Sequence, residues 1–354
     1  MVLPVSIGLT SRYIITPQLR LHLLERGSGH HRVLFVHGNI SAATWWEELM
    51  LALPEADFHS VALDLRGYGH SQATPVDATR GVLDFCEDIL ALAVALGWEQ
   101  FHLVGHSLGT GIAMQLLLDH PQRLQSVTLI GAMSPYGFGG TRGAEGIPIW
   151  PDYAGTGARM FNPELLRLMQ AQYRGTEHPF APLNALRNVV WHPSFQHPRE
   201  SIILDSMLMP TLGEDNLPGD WTPSEHWPYF APGTRGVSNA ISPKYFNVSG
   251  IADLALKPPI WWVGGDADLV TSNEAASDTG RLGKVGRIPD YPGEAVFPIQ
   301  PMHGQLAAVL ARYGNVQKTF FQNAGHSPHL EQLNRFAPLF ISFLSQATAT
   351  TQAP

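Results

Sequence analysis

The stretch Phe101-His102-Leu103-Val104-Gly105-His106-Ser107-Leu108-Gly109 decides the fold of this chain. Its first four residues predict a short buried strand, and Gly109–Asp119 predicts a helix that ends at His120-Pro121. A serine between a strand and a helix occupies a sharp turn that holds its hydroxyl above the sheet. The flanking glycines leave room, because a side chain there would strike the neighbouring strand or helix.

Further strands and helices alternate on both sides of this stretch. Val33–Val36 is a continuous apolar run, which is typical of a strand buried on both faces of a parallel sheet. The other predicted strands are Arg12–Thr16, Leu19–Glu25, Ser60–Leu65, Val127–Gly131, Pro259–Gly264 and Val316–Phe321. The other predicted helices are Leu83–Leu96 and Leu330–Leu344, with weaker signals near Pro163–Tyr173 and Arg199–Leu208. The alternation predicts an α/β fold with a mostly parallel sheet.

The alternation pauses over residues 133–257, which are rich in proline, glycine and aromatic residues. We interpret this segment as a large cap. It is inserted into a single body that consists of residues 1–132 and 258–354. A second insertion, roughly Asn273–Tyr313, separates the last two strands. The tail Thr348–Pro354 is expected to fray.

Composition excludes several classes of protein. The single cysteine among 354 residues, Cys86, cannot form an intrachain disulfide, and the net charge of −8 argues against a nucleic-acid partner. No apolar stretch approaches the roughly 20 residues that span a bilayer. Met1–Val5 lacks the basic region of a signal peptide. We expect a soluble, cytoplasmic protein with no membrane or nucleic-acid partner, and its oligomeric state stays open.

The serine needs a neighbouring base, because a hydroxyl is a weak nucleophile at neutral pH. Gly325-His326-Ser327-Pro328-His329 follows the last strand and precedes the last helix. This position lies at the carboxyl edge of the sheet, where ligands bind in open α/β sheets. We predict His326 as the base, with His329 as the alternative.

A base of this kind needs a carboxylate that holds its tautomer and stabilises its charged form. Asp266 and Asp268 both lie in the loop after the strand that ends at Val263, so both are candidates. The tetrahedral intermediate also needs two hydrogen-bond donors for its oxyanion. We predict the backbone N–H groups of Leu108 and Asn39 for that role.

Five landmarks in chain order resemble those of the α/β-hydrolase superfamily, in its lid-bearing, single-domain branch. They are His37-Gly38-Asn39, Asp64-Leu65-Arg66-Gly67-Tyr68-Gly69-His70-Ser71, Gly105-His106-Ser107-Leu108-Gly109, the Asp268 loop, and Gly325-His326-Ser327-Pro328-His329. The resemblance implies an α/β-hydrolase fold and catalysis by Ser107, Asp268 and His326 without a cofactor. The family's acid pattern, close to Gly-x-x-Asp-x-x-Val, favours Asp268. Related dehalogenases and epoxide hydrolases carry an aspartate in place of Ser107, so the resemblance excludes their chemistry.

The cap and the first loop supply aromatic side chains for substrate binding. The candidates are Trp45, Trp150, Trp191 and Trp227. Such rings either line an apolar pocket for a bulky hydrophobic ester or pack the cap against the body. The histidines of His192-Pro193 and His197-Pro198 lack paired carboxylates or cysteines at metal-ligand spacing, so no metal site is predicted.

These residues together predict a serine hydrolase that cleaves a small-molecule carboxylic ester or lactone. Two other reactions use the same groups: hydrolysis of a carbon–carbon bond in a ring-cleavage product, and acyl transfer or perhydrolysis. A non-catalytic small-molecule receptor on the same fold is the alternative from another class of protein. An intact Ser–His–Asp set argues against that alternative.

Overall fold

The structure, a computed structural model, describes residues 3–351, with side chains described for residues 3–348. The strands of the main sheet are β1 (Thr10–Ile15), β2 (Arg20–Arg26), β3 (His31–Val36), β4 (Phe58–Leu63), β5 (Phe101–His106), β6 (Leu124–Ile130), β13 (Ile260–Gly265) and β14 (Val316–Phe321). Short strands between them are β7 (Thr141–Arg142), β8 (Ile147–Pro148), β9 (Leu212–Gly213), β10 (Leu217–Pro218), β11 (Trp221–Pro223) and β12 (Phe230–Pro232).

The α-helices flank this sheet or belong to the two insertions. They are α1 (Glu47–Ala52), α2 (Leu83–Ala95), α3 (Leu108–Asp119), α4 (Pro163–Gln170), α5 (Pro182–Ala185), α6 (Glu200–Met207), α7 (Val237–Ala240), α8 (Thr279–Lys284), α9 (Met302–Tyr313), α10 (Pro328–Glu331) and α11 (Leu333–Thr351). Pro163 and Pro328 each start a helix, where a proline loses no hydrogen bond.

The sheet has the strand order β1-β2-β4-β3-β5-β6-β13-β14. β1 and β2 are antiparallel, as are β2 and β4, and every pairing from β4 to β14 is parallel. The predicted α/β fold with a mostly parallel sheet is therefore confirmed. Its register brings the carboxyl ends of the central strands together, with Val36 opposite Gly105 and His106 opposite Ile130.

Two apolar layers bury the sheet on both faces. Leu34 and Val36 of β3 belong to the layer that α2 and α3 cover. The alternate residues Val33 and Phe35 belong to the other layer, with α1 and α11. Successive side chains on a strand point to opposite faces, so the continuous apolar run predicted from the sequence serves both layers at once.

The two insertions differ in how well the sequence predicts them. The cap lies between β6 and β13 and holds α4–α7, of which α4 and α6 match the two weak helical signals. The second insertion holds α8 and α9, for which the sequence pattern predicts no helix. These short helices contain or adjoin glycine and proline, which obscure the helical period.

The C-terminal helix also departs from prediction. A break at Gln332 separates α10 from α11, and α11 continues to Thr351 instead of fraying from Thr348. The hydroxyl of Thr348 lies 3.2 Å from His102 Nε2 and 3.1 Å from His31 Nδ1. These contacts hold the last described turns against the ends of β3 and β5. The remainder of the predicted tail, residues 352–354, lies outside the described residues.

Candidate active site

The turn between β5 and α3 holds Ser107 in a strained backbone conformation. Its φ is 53° and its ψ is −118°, a region that non-glycine residues rarely adopt. The Ser107 amide donates a hydrogen bond to the carbonyl of Ile130 at 3.0 Å, which fixes the turn to the end of β6. Such strain persists only where the surrounding structure imposes it, and it is a common feature of functional sites.

The glycines on both sides of Ser107 are required by space. A Cβ atom on Gly105 would lie 2.3 Å from the carbonyl oxygen of Gly109. A Cβ atom on Gly109 would lie 2.3 Å from the carbonyl oxygen of Val36. Both distances are far below van der Waals contact, so the close approach of β3, β5 and α3 depends on these two glycines.

The structure pairs His326 with Asp268 at the carboxyl edge of the sheet. Nδ1 of His326 lies 2.9 Å from Oδ2 of Asp268. The carboxylate also accepts hydrogen bonds from the amides of Val270 (2.6 Å) and Thr271 (3.1 Å) and from the Thr271 hydroxyl (2.8 Å). Asp266, the competing candidate, is exposed. Of the two aspartates, the structure therefore brings only Asp268 to the histidine.

The surroundings of Asp268 keep its carboxylate ionised. Burial by itself raises the pKa of Asp268, but the charge and hydrogen bond of His326 and the two loop amides outweigh it. The net effect holds the pKa of Asp268 well below its usual range. The ionised carboxylate fixes the orientation of the His326 ring through its bond to Nδ1.

The alternative histidine, His329, lies in a different environment. Its ring is fully buried, packs 4.6 Å from the Trp46 ring and 4.9 Å from the His106 ring, and has no hydrogen-bond partner among the described residues. Burial lowers the pKa of His329 to about 3, and the neighbouring His326 acts in the same direction. His329 is therefore a neutral packing group, whereas His326 faces a carboxylate.

Ser107 and His326 both approach the end of β6, at Ile130 and at the next residue, Gly131. The Ser107 amide bonds to Ile130, and a Cβ atom on Gly131 would lie 2.7 Å from the His326 ring. Nε2 of His326 is buried and has no hydrogen-bond partner among the described residues. Catalytic hydrogen bonds are often loose in the absence of substrate, and Nε2 is the nitrogen left available for a proton.

The loop after β3 packs directly against Ser107. A Cβ atom on Gly38 would lie 2.8 Å from Cβ of Ser107, so only glycine fits there. The next residue, Asn39, has its side-chain oxygen fixed by the hydroxyl of Tyr68 at 2.5 Å. Among the described residues, the backbone N–H groups of Asn39 and Leu108 have no acceptor. Both predicted oxyanion donors are thus unengaged beside the serine.

Comparison with known proteins places this geometry in a family. Residues 31–278, more than half of the chain, match the family model for the alpha/beta hydrolase fold. The chain belongs to the α/β-hydrolase family. The carboxylesterase CesB from Bacillus subtilis has a similar structure, with a TM-score of 0.59 at 16% identity, and the match covers 96% of this hydrolase and 92% of that chain. An esterase from Exiguobacterium antarcticum also has a TM-score of 0.59 at 16% identity, with 95% and 100% covered.

Curated relatives match this hydrolase over shorter segments. It is 36% identical to an epoxide hydrolase from Caballeronia sordidicola over 121 residues, which is 34% of this chain and 36% of that protein. It is 32% identical to the 2-hydroxymuconate semialdehyde hydrolase from Pseudomonas sp. strain CF600 over 123 residues, or 34% and 43%. The matches span less than half of each relative's length.

Trp45 and Trp191 lie in one buried cluster, and Trp45 adjoins the turn that holds Ser107. Trp45 stacks on the ring of His106, the residue before Ser107, at 5.9 Å, and it donates a hydrogen bond to the Ser206 hydroxyl of the cap at 3.0 Å. The Trp191 ring packs 6.3 Å from Trp45 in the same buried cluster. These two rings join cap and body beside the site, and their contact with a substrate stays a prediction.

Trp227 and Trp150 lie in other surroundings. Trp227 is buried, donates a hydrogen bond to the Pro289 carbonyl at 2.8 Å and packs 5.3 Å from the Tyr291 ring. It therefore joins the cap to the second insertion. Trp150 stacks on His226, within the cap, at 4.7 Å. No contact of these two rings with the Ser107 region is observed among the described side chains, and their substrate role also stays a prediction.

Three residues of the site were not found from the sequence. Tyr68 orients Asn39, Thr271 holds Asp268, and the Val190 carbonyl of the cap accepts a hydrogen bond from the His326 amide at 2.7 Å. Tyr68 belongs to one of the five landmarks in the sequence, but that landmark indicated only a turn and not a contact with Asn39. Within residues 3–351, no group of three or more metal-ligating side chains and no helix able to cross a membrane is present.

Proposed function

We propose that this α/β hydrolase is a serine hydrolase that cleaves a carboxylic ester or lactone through an acyl-enzyme on Ser107. The observation that carries the proposal is the strained turn at Ser107 beside a histidine whose Nδ1 lies 2.9 Å from the Asp268 carboxylate. A serine on such a turn, a base and an orienting acid are the three parts of nucleophilic acyl transfer.

In the first half of the reaction, Ser107 attacks the ester carbonyl. His326 Nε2 takes the proton from Oγ, and Asp268 stabilises the imidazolium that forms. The backbone N–H groups of Asn39 and Leu108 donate hydrogen bonds to the oxyanion of the tetrahedral intermediate. His326 then gives its proton to the leaving alcohol, which breaks the ester bond and leaves the acyl group on Oγ.

In the second half, water replaces the alcohol. His326 takes a proton from the water, which attacks the acyl carbonyl, and then returns a proton to Ser107 as the acid leaves. The position of the Asn39 loop, with its side chain fixed by Tyr68, supports a preorganised oxyanion site.

The proposed substrate is a small, fairly bulky hydrophobic ester or lactone. Trp45 and Trp191 support this class, because Trp45 stacks on His106 beside the proposed nucleophile and Trp191 packs against Trp45. Apolar and aromatic walls with few polar groups are typical of sites for organic ligands. The cap supplies Trp191, so residues 133–257 are proposed to act as a lid over the site.

Substitution of Ser107 tests the proposal. We expect Ser107→Ala to lower kcat for p-nitrophenyl butyrate by about 10⁴-fold or more, because nucleophile removal leaves only the oxyanion site and binding. Ser28→Ala, at an exposed serine between β2 and β3, is the matched control and should retain full turnover. Undiminished turnover by correctly folded Ser107→Ala would remove Ser107 as the nucleophile.

Hydrolysis of a carbon–carbon bond is the second candidate. The 32% identity to a 2-hydroxymuconate semialdehyde hydrolase over 123 residues favours it. The ratio of kcat/KM for a dienoic ring-cleavage ketone to that for p-nitrophenyl butyrate separates the two reactions. A ratio above one would replace ester hydrolysis with carbon–carbon hydrolysis as the main activity, with Ser107 still required.

A further inference from the structure

A second serine, histidine and aspartate meet on the part of the sheet that β1, β2 and β4 form. Tyr13 of β1 lies opposite His22 of β2, so Ser11, two residues before Tyr13, points to the same face and reaches His22 diagonally. Asp64 follows β4 directly, and its amide donates a hydrogen bond to the His22 carbonyl at 3.0 Å. The sheet register therefore brings together three residues that are far apart in sequence.

Their side chains form a continuous hydrogen-bonded chain. Ser11 Oγ lies 2.8 Å from His22 Nε2, and His22 Nδ1 lies 2.7 Å from Asp64 Oδ2. The His22 and Asp64 residues are 5% and 2% exposed, whereas Ser11 is exposed. An accessible hydroxyl thus leads through one imidazole to a buried carboxylate. This is the arrangement that activates a serine nucleophile.

Asp64 is fixed and ionised. The amides of Ala43 and His70 donate hydrogen bonds to its two oxygens at 2.7 and 2.8 Å. Burial by itself raises the pKa of Asp64, but the hydrogen bond and charge of His22 together with the Ala43 amide hold it below its usual range. The carboxylate can therefore orient His22 and stabilise its charged form.

A cavity of about 220 Å³ adjoins this chain, and Ser11, His22 and Asp64 are among its lining residues. Its apolar lining residues include Leu3, Val5, Leu24 and Ala43. Thr44 also lines the cavity, is 5% exposed, and has a buried hydroxyl with no hydrogen-bond partner among the described residues. Because that oxygen is fully buried, Thr44 forms part of the cavity wall through its other atoms.

We propose that Ser11, His22 and Asp64 form a second nucleophilic centre, which accepts the acyl group of a small aryl ester independently of Ser107. In this step a bond forms between Ser11 Oγ and the acyl carbon, and the bond from that carbon to the aryl oxygen breaks. The Oγ proton passes to His22 Nε2 and then to the departing phenolate.

The cavity size selects the class of acyl donor. Pockets for drug-sized ligands begin at roughly 300 Å³, so a cavity of about 220 Å³ suits a smaller molecule. Its apolar lining favours an uncharged donor, such as phenyl acetate. The competing explanation is that the hydrogen-bonded chain only joins β1 to the body, in which case Ser11 has ordinary serine reactivity.

Trapping with diisopropyl fluorophosphate distinguishes these explanations. The reagent forms an Oγ–P bond, and fluoride leaves with the serine proton. Ser107→Ala removes the first site, so we expect one adduct per chain, mapped to Ser11 by peptide mass spectrometry. Ser107→Ala/Ser11→Ala should lose the adduct, and Ser107→Ala/Ser28→Ala should keep it. Absence of an adduct at Ser11, or equal labelling of Ser28, would overturn the proposal while leaving the role of Ser107 untouched.

A thiol in place of the hydroxyl gives a second test that spares the fold. A cysteine paired with a histidine ionises below the ordinary value of about 8.5. We expect the iodoacetamide rate of Ser107→Ala/Ser11→Cys to rise with a midpoint at least one pH unit below that of Ser107→Ala/Ser28→Cys. The native Cys86 is buried, so it does not compete. Coincident midpoints would mean that His22 does not activate position 11.

Discussion

The two Ser–His–Asp arrangements differ in what surrounds the same chemical groups. Ser107 stands on a strained turn with a φ of 53°, whereas Ser11 lies within a regular antiparallel strand. The Ser11 arrangement has its hydrogen bond to His22 formed at 2.8 Å, while Nε2 of His326 has no partner among the described residues. A complete hydrogen-bonded chain is therefore not what distinguishes the proposed main site from the proposed second one.

The difference lies in the groups that stabilise a developing oxyanion. Ser107 has the amides of Leu108 and Asn39 beside it, on a helix N-terminus and on a loop held by Tyr68. Ser11 instead lies inside strand β1, whose backbone pairs with β2, and not at a helix N-terminus. Electrostatic stabilisation of this kind usually contributes more to catalysis than any other single effect, so we expect Ser107 to turn over and Ser11 to react slowly.

Exchange of each aspartate for asparagine gives the largest contrast. Asp268→Asn should lower kcat for p-nitrophenyl butyrate by about 10³–10⁴-fold, because the amide no longer holds the reactive tautomer of His326. Asp64→Asn should leave kcat within about threefold and instead lower the melting temperature, since the carboxylate receives two backbone amides. Steady-state kinetics and calorimetry on both variants measure this. Equal loss of kcat in the two would contradict the division of roles.

Acid stability gives the next contrast. Asp64 and Asp268 both have their pKa lowered in the folded state, so each stabilises the fold fully above the unfolded pKa of about 3.9. That contribution is lost as the pH falls below about 4. Burial raises the pKa of Asp278 to about 6. Asp278 therefore stabilises the fold below about pH 4, and this contribution is lost as the pH rises toward 6. Urea melts from pH 2.5 to 4 should therefore be flatter for Asp64→Asn and Asp268→Asn than for the wild type.

Sequence reasoning found the Ser107 region because its signals are local. Five consecutive residues predict the turn. The strand before it is predicted to end at Val104 and ends at His106 in the structure. The predicted strand Val316–Phe321 has the same bounds as β14. His326 and Asp268 follow predicted strands directly, and parallel strands bring their carboxyl ends to one edge.

The Ser11 region was not found, because its residues meet only through the register of antiparallel strands. Ser11 and His22 become neighbours when β1 pairs with β2, and a shift of one residue would place them on opposite faces. Neither that register nor the pairing of β2 with β4 has a local signal in the chain. The sequence pattern indicates a turn at Asp64, which its bonds to two backbone amides support, but the contact of Asp64 with His22 has no sequence signal.

Tyr68→Phe tests whether the Asn39 loop serves Ser107 and not Ser11. The Tyr68 hydroxyl donates to the Asn39 side chain, so its loss should loosen a loop that serves Ser107 and leave Ser11 unaffected. We expect kcat for p-nitrophenyl butyrate to fall about 10-fold, near 1.4 kcal/mol, with KM little changed. The rate of fluorophosphate labelling at Ser11, measured in the Ser107→Ala background, is the internal control. A rise in KM with kcat unchanged would mean that Tyr68 shapes the substrate pocket instead.

Ser11→Ala has the smallest expected effect. It tests whether the hydrogen bond from Ser11 to His22 serves mainly to stabilise the fold. Ser11 is exposed, so loss of its single hydrogen bond to His22 should change the free energy of unfolding by less than about 1 kcal/mol. His22 keeps its Nδ1 bond to Asp64 in this variant, so only the contact at Nε2 is lost. A hydroxyl that costs little to remove is not held there for stability. Equilibrium urea unfolding measures the difference, and a loss above about 2 kcal/mol would indicate that the chain serves mainly to attach β1.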